Sequence, residues 1–247
     1  MSTPWIVLPG LAETPEEFDR VLELLPGRDI RVLDPWRTPV AAPVDELRTA
    51  TDAGTPVRLA GHSIGGLAVL RWLLTHPGEV EHAVLIDTSL TSETGWPWLY
   101  PGTRADRAIR SFLRVVGRSG LPRLIGPTLR RLLVWVGSRT NRDLLSKATA
   151  RARYGAANSW LLFWDDLARS WTLAAEVAQL LKDPPEHLPP TTFLVATGGS
   201  SRFTAKSWLA GQRELAAKLN TVGFEVLDDS AHLVHLDRPD AIAKALS

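Results

Sequence analysis

Six short apolar runs, rich in β-branched residues, alternate with amphipathic segments along the 247-residue chain. Runs that are continuously apolar are typical of parallel strands buried on both faces of a sheet. Strands that alternate with helices favour a mostly parallel, doubly wound α/β sheet with right-handed crossovers. The predicted strands lie in the ranges 5–10, 30–35, 56–63, 81–89, 191–199 and 224–232.

One stretch, 90–190, breaks this alternation. It contains helical patterns and no convincing strand, and it closes with the proline-rich segment "KDPPEHLPP". We therefore predict a core made of residues 1–89 and 191–247. Residues 90–190 are predicted to form an all-helical cap, inserted over the carboxyl edge of the sheet.

The composition excludes several kinds of chemistry. The chain has no cysteine, so disulfides, thiolate metal sites and thiol catalysis are excluded. No apolar run is long enough to span a bilayer. The N-terminus "MSTPWIVLPG" lacks a basic region and enters a strand at once, which argues against a secretory signal. We expect a cytoplasmic protein.

The charge is unevenly distributed. The net charge is +1, yet residues 101–153 hold twelve Arg and one Lys against two Asp. This excess indicates either a solvated face or a docking surface for an anionic partner, such as a membrane surface, an acidic carrier protein or a phosphate-bearing acyl thioester. Nucleic acid is disfavoured because no binding module accompanies the charge.

The pentapeptide Gly61-His62-Ser63-Ile64-Gly65 has the form G-x-S-x-G and lies between a strand run and a helical run. A turn this tight strains the serine backbone and lifts the hydroxyl above the sheet edge, at a helix N-terminus. Ser63 is therefore the candidate nucleophile. The alternative is a serine that only caps the helix.

Four segments together resemble the α/β-hydrolase superfamily, in its serine-nucleophile branch with a helical cap. They are "VLPGLAET", "GHSIGG", "HPGEVEHAVLIDTS" and "SAHLVHLDRPD", and the resemblance covers nearly the whole chain. It implies a general base in the loop after the last strand. His232 fits that position, with Ala231 in place of the usual glycine, while His235 is the competing candidate and is expected to be structural.

The resemblance also implies an oxyanion hole built from two backbone amides. One belongs to Ile64, and the other belongs to Leu11 in the loop after the first strand. Pro9 replaces the histidine that the family often has in that loop. Gly10 and His62 are expected to contact the substrate, although Gly10 could serve only the turn.

The orienting acid is not at the position where most of the family has it. The corresponding turn, "ATGGSSRF", holds Ser200 or Ser201 where an aspartate is expected. Some members, the haloalkane dehalogenases among them, place the acid one strand earlier. Asp87 ends that strand here, and the tips of adjacent parallel strands lie about 5 Å apart.

A charged residue at the end of so apolar a strand needs a function. Asp87 could instead cap the turn that follows, through Thr88 and Ser89. Asp228 and Asp229 precede His232 and are expected to point away from its ring. We predict Ser63, His232 and Asp87 as the catalytic triad.

The leading hypothesis is a cofactor-independent serine hydrolase, without a metal, that cleaves an ester, thioester or lactone of a small, largely apolar substrate. A cap dense in Leu, Val, Phe and Trp favours such a substrate. The alternatives are a C–C bond hydrolase or cofactor-free perhydrolase on the same scaffold, and a non-catalytic ligand-binding protein. An epoxide hydrolase or dehalogenase is disfavoured because the nucleophile position holds serine.

Overall fold

The computed structural model describes residues 3–199 and 202–247. Within them, six strands form one sheet in the order β2-β1-β3-β4-β5-β6, and every neighbouring pair is parallel. The strands are Trp5–Leu8 (β1), Ile30–Val32 (β2), Val57–His62 (β3), Val80–Ile86 (β4), Thr191–Ala196 (β5) and Thr221–Leu227 (β6). The predicted parallel α/β sheet is confirmed.

Helices cover both faces of the sheet. They are Asp19–Glu23 (α1), Val44–Ala50 (α2), Ile64–Thr75 (α3), Arg104–Arg118 (α4), Leu121–Gly137 (α5), Lys147–Tyr154 (α6), Ser159–Leu180 (α7), Arg202–Ala216 (α8), Val234–Asp237 (α9) and Pro239–Ala245 (α10). Short 3₁₀ helices span Pro15–Phe18, Pro77–Glu79 and Pro97–Leu99. Side chains alternate across β1, since Ile6 and Leu8 join one buried cluster while Trp5 and Val7 join the other.

The last strand differs from its prediction. It was expected at 224–232 but runs from Thr221 to Leu227, and the residues after it leave the sheet. Because β6 is an edge strand, most of its residues are only partly buried. Such a strand does not need a continuous apolar run. Its first residues, "TVG", therefore did not indicate a strand.

Between β4 and β5, over residues 87–190, which the structure describes throughout, the chain forms α4 to α7 and no strand. We call α4 to α7 the cap. Helix α7 packs against both α4 and α3. Its second half joins the core cluster through Leu173, Ala174 and Val177, and this contact fixes the cap on the sheet.

Glycines permit a close crossing of β3, α3 and the loop after β1. A Cβ on Gly65 would lie 2.0 Å from the Leu8 carbonyl oxygen, and one on Gly61 would lie 2.4 Å from the Gly65 carbonyl oxygen. Both conflicts involve backbone, which cannot move without displacing the sheet. The turn that carries Ser63 therefore depends on these two glycines.

We expect Gly65→Ala to lower the free energy of unfolding by about 3 kcal/mol, because the methyl group has no space. Chemical denaturation measures this change. Gly78→Ala is the matched control, since a Cβ there meets no atom within 4 Å. Equal stabilities of the two variants would contradict the proposed close packing under the turn.

Candidate active site

Ser63 lies in the one-residue turn between β3 and α3. Its φ of 53° and ψ of −122° are a strained backbone conformation for a residue with a side chain. The turn is held because the Ser63 amide donates to the Ile86 carbonyl (3.1 Å), and the Ser63 carbonyl accepts from the amides of Gly66 and Ser89 (both 3.0 Å). The strain is thus balanced by contacts with β4 and α3.

His232 lies in the loop between β6 and α9 and joins the serine to a carboxylate. Its Nε2 is 3.0 Å from Ser63 Oγ, and its Nδ1 is 2.6 Å from Asp87 Oδ2. A proton on Nδ1 is donated to Asp87, which leaves Nε2 to accept from the serine hydroxyl. The three predicted side chains therefore form one hydrogen-bonded series.

Asp87 follows directly after β4 and is almost fully buried, with 3% of its surface exposed. Its Oδ1 accepts from the Ala196 amide at the end of β5 and from Trp208 Nε1 on α8, both at 2.9 Å. With His232 on Oδ2, each carboxylate oxygen is satisfied. Its partners thus come from β5, α8 and the His232 loop, rather than from the turn at Thr88 and Ser89.

The other carboxylates that the sequence offered are placed elsewhere. Asp229 is exposed, and its two oxygens accept from Arg238 Nη1 at 2.8 and 2.9 Å. Ser200 and Ser201, where the family usually has its acid, lie outside the described residues. Among the described residues, Asp87 is the carboxylate that contacts the His232 ring.

Asp237 holds the His232 loop against the cap. Its carboxylate accepts from the Ala231 amide (2.9 Å), from Ser138 Oγ (2.6 Å) and from the amides of Arg139 (2.9 Å) and Thr140 (3.0 Å). Partial burial alone would raise the pKa of Asp237, but these donors lower it below its ordinary value. The residue before His232 is thereby tied to the loop that follows α5.

The two predicted oxyanion donors belong to loops at the same sheet edge. Ile64 is the first residue of α3, and Leu11 follows β1. The Gly10 amide donates to Glu13 Oε2 at 2.6 Å, so Leu11 provides the next amide. In the described part of the chain, no residue accepts a hydrogen bond from the Leu11 or Ile64 amide.

The expected substrate contact of His62 does not fit its environment, because its side chain is fully buried. Nδ1 is 2.6 Å from Glu13 Oε1, and Nε2 donates to the His232 carbonyl at 2.7 Å. Gly10 is also buried, and a Cβ there would lie 2.7 Å from Glu13 Oε1. In the structure, both residues therefore pack against Glu13.

The surroundings of His62 favour its charged form. Burial alone would lower the pKa of His62, but the Glu13 carboxylate and the His232 carbonyl more than offset this and raise it to about 8. Burial would likewise raise the pKa of Glu13, but His62 and His235 lower it to about 2. This ion pair connects the loop after β1 to the backbone of His232.

Further charges continue this buried network. Arg130 on α5 donates to Glu17 at 2.6 Å, and His235 Nε2 lies 3.4 Å from the same Glu17 oxygen. His235 also stacks on Phe18, with ring centroids 4.7 Å apart. It is therefore a buried structural residue, as expected.

Glu13, His62 and His235 have ligand atoms close enough to share one metal ion. However, Glu13 is already neutralised by His62, and the Arg130 cation lies on the neighbouring carboxylate. A dication here would face two cationic side chains, so we interpret the cluster as an ion-pair network.

Two residues of the predicted triad line one cavity, and a second cavity adjoins the loop after β1. One, of about 330 Å³, is lined by Asp87 and His232 together with Ser89, Glu93 and Trp208 among others. The other, of about 580 Å³, lies between α4, α5 and α7, and its lining is almost entirely apolar. Ala12, Trp36 and Tyr154 contribute to it from below, so it begins one residue from the Leu11 amide.

Three residues that shape the site were not predicted from the sequence: Trp208, Glu13 and Arg130. Trp208 is 121 positions from Asp87, and Arg130 is 113 from Glu17, so no local pattern could pair them. Glu13 stands in "GLAET", which reads as a weak glycine turn. The only available signal was a glutamate three residues after Gly10, and the sequence does not show that it is buried.

A parallel sheet with a strained serine after β3, joined through a histidine to a buried carboxylate, defines the class of α/β hydrolases. The sequence profile of the alpha/beta hydrolase family matches residues 6–245. The chain therefore belongs to this family, as its motifs predicted.

Solved structures share the fold at low sequence identity. An alpha/beta hydrolase fold protein from Burkholderia ambifaria has a TM-score of 0.69 and 16% identity, covering 100% of this chain and 90% of its own. A thermophilic esterase from Thermogutta terrifontis has a TM-score of 0.57 and 14% identity, covering 100% of this chain and 88% of its own. The enol-lactonase from Burkholderia xenovorans LB400 has a TM-score of 0.57 and 18% identity, covering 100% of this chain and 90% of its own. At such identity the likeness concerns the fold alone.

No curated protein matches the chain. Among the described residues, no helix is both long and apolar enough to cross a membrane.

The His62–Glu13 pair predicts a pH dependence of stability. Because folding raises the pKa of His62, its contribution is complete below about pH 6.5 and is lost as the pH rises through about 8. The loss amounts to about 2 kcal/mol. We expect the unfolding free energy to fall across this window in the wild type and to stay flatter in His62→Gln. His187→Gln, at an exposed histidine, should retain the wild-type slope.

Proposed function

We propose that the protein hydrolyses carboxylic esters of apolar acyl groups through an acyl-enzyme, without a cofactor. The observation that carries the proposal is that His232 contacts Ser63 Oγ and Asp87 at once. A serine hydroxyl is a weak nucleophile until a base removes its proton, and this geometry supplies the base.

In the acylation step, Ser63 Oγ attacks the ester carbonyl while His232 Nε2 takes the hydroxyl proton. The negative charge that forms on the carbonyl oxygen accepts hydrogen bonds from the amides of Leu11 and Ile64. Asp87 stabilises the resulting imidazolium. The intermediate then expels the alcohol, which receives the proton from His232.

In the second step, a water molecule gives a proton to His232 Nε2 and attacks the acyl-serine carbonyl. The same two amides bind the charge on that oxygen. Breaking the bond to Ser63 Oγ releases the carboxylic acid and returns the proton to the serine. Each group is thus used twice, and the enzyme is regenerated.

The 580 Å³ cavity supports an apolar acyl group as the part of the substrate that is recognised. Its lining includes Ile109, Leu113, Trp160 and Trp164, and it begins beside the oxyanion loop at Ala12. An apolar chain gains free energy when it leaves water for such a space. Structural neighbours that are an esterase and an enol-lactonase agree with acyl transfer on this scaffold.

Labelling by a fluorophosphonate tests the activated serine without knowledge of the substrate. We expect rapid addition to the wild type, none to Ser63→Ala, and labelling slowed by about 100-fold or more in Asp87→Asn, since the amide cannot stabilise the imidazolium. Intact mass spectrometry follows each adduct over time.

Asp229→Asn is the matched control, because this carboxylate is exposed and paired with Arg238. It should label within about twofold of the wild type. Equal rates for Asp87→Asn and Asp229→Asn would contradict the role of Asp87. A folded wild-type protein that resists labelling would favour a non-catalytic ligand-binding protein.

A second experiment tests the cavity through acyl length. We expect kcat/KM to be at least about tenfold higher for an octanoyl than for an acetyl ester of the same phenol, since each buried methylene contributes. Ile109→Trp should fill the cavity and remove this preference while leaving acetyl hydrolysis intact. A variant that loses both activities equally would argue against the cavity as the acyl site.

A further inference from the structure

Helix α5 has its bulky apolar side chains on the outside. Its buried positions recur every four residues and are Pro122, Gly126, Arg130 and Val134. Its exposed positions include Leu124, with 75% of its surface accessible, and Trp135, with 66%. An amphipathic helix of a globular protein normally has the opposite orientation.

Two contacts fix this orientation. A Cβ on Gly126 would lie 2.0 Å from the Tyr154 carbonyl oxygen, so only this face of α5 can approach α6 so closely. On the same face, Arg130 pairs with the buried Glu17 and lies over the Tyr154 ring at 5.5 Å. The leucines of α5 are therefore exposed because the contacts of its opposite face fix the orientation of the helix.

Helix α4 extends the exposed surface. Phe112 and Val115, three residues apart, are 65% and 66% exposed. We call the combined surface on α4 and α5 the apolar cap face, and it consists of Phe112, Val115, Leu121, Leu124, Leu132 and Trp135. Soluble monomers rarely expose large apolar groups in such number on adjacent helices, and those that do use them for binding.

Cations lie beside this face on α4. Arg107, Arg114 and Arg118 follow one another at helical spacing on α4, beside Phe112 and Val115. Of the thirteen cations in residues 101–153, Arg110, Arg130 and Arg153 form salt bridges. The other ten are exposed and pair with no carboxylate of the described residues. Their charge is available to an anionic partner.

The apolar cavity opens on the same face. Phe112, Leu129, Leu132, Leu133 and Phe163 line the cavity and are also exposed to solvent, so they form its mouth. Ala12, which follows Leu11 in the chain, also lines it. An apolar molecule entering from this face would reach the oxyanion loop without crossing the polar surface.

We propose that the apolar cap face docks on an anionic phospholipid bilayer and takes its apolar substrate from the lipid phase. The face combines an apolar helical stripe, an exposed tryptophan and a cationic border, which is the pattern of helices that lie in a membrane interface. Docking itself is independent of catalysis, whereas the delivery of substrate rests on the proposed function.

Other occupants fit the charges less well. A second copy of the chain related by a two-fold axis would bring the two cationic borders together without counter-charges. An acidic soluble protein would satisfy the arginines. However, a substrate that leaves such a protein would still have to cross water to reach the cavity mouth. A bilayer would cover the apolar cap face and the cavity mouth together.

Vesicle flotation with the catalytically inert Ser63→Ala protein tests docking alone. We expect binding to vesicles of equal parts phosphatidylcholine and phosphatidylglycerol, and at least about tenfold weaker binding to pure phosphatidylcholine. The double variant Leu124→Ser, Trp135→Ser should lose at least about tenfold in affinity. Removing Arg114 and Arg118 by Arg→Gln should cost about fivefold per residue.

The matched controls carry the same changes outside the cap. Leu24→Ser with Val222→Ser replaces exposed apolar residues, and Arg28→Gln with Arg213→Gln replaces exposed arginines. Both should bind as the parent protein does. Equal losses in controls and cap variants, or no binding to either vesicle, would overturn the proposal. A dimer that Leu124→Ser, Trp135→Ser dissociates would instead assign the face to a second copy.

The catalytic part is tested separately in the active protein. We expect Leu124→Ser, Trp135→Ser to lower hydrolysis of an octanoyl ester embedded in the anionic vesicles by at least about tenfold, and to leave a soluble acetyl ester unchanged. If the wild-type protein hydrolyses neither ester, the proposed function fails. The docking proposal is then judged from the flotation experiment alone. If both are hydrolysed normally by the variant, delivery from the membrane is excluded.

Discussion

The active-site geometry depends on one buried carboxylate at the end of β4. Burying the Asp87 carboxylate costs free energy, which is offset because its two oxygens accept hydrogen bonds from the Ala196 amide, Trp208 Nε1 and His232 Nδ1. These donors come from β5, from α8 and from the loop after β6. The carboxylate therefore holds the His232 ring and also joins three elements that are distant in sequence.

A second set of buried charges supports the loops from below. The Glu13–His62 pair joins the loop after β1 to the His232 carbonyl, and Glu17 joins His235 to Arg130 of the cap. Removing one member would leave its partner charged in a water-poor space. Because these contacts link three loops and the cap, the positions of the loop after β1 and of His232 are mutually dependent.

The sequence predicted the sheet, the serine turn and the position of Asp87, because each rests on local pattern or on strand adjacency. It did not predict the role of His62, since whether a residue beside a nucleophile faces solvent depends on the remote Glu13. It also could not orient α5. The face that packs inward is set by Gly126 against Tyr154 and by Arg130 against Glu17, and both partners are distant in sequence.

The exposed apolar surface and the internal order of the site therefore share a cause. Arg130 must face inward to neutralise Glu17, which also contacts His235 beneath the His232 loop. With α5 fixed in this way, Leu124 and Trp135 must face outward, and the space above Ala12 and Tyr154 stays open as a cavity. A helix turned to bury its leucines would fill that cavity and remove Arg130 from Glu17. The contacts that keep the apolar cavity open are thus the ones that expose the apolar cap face.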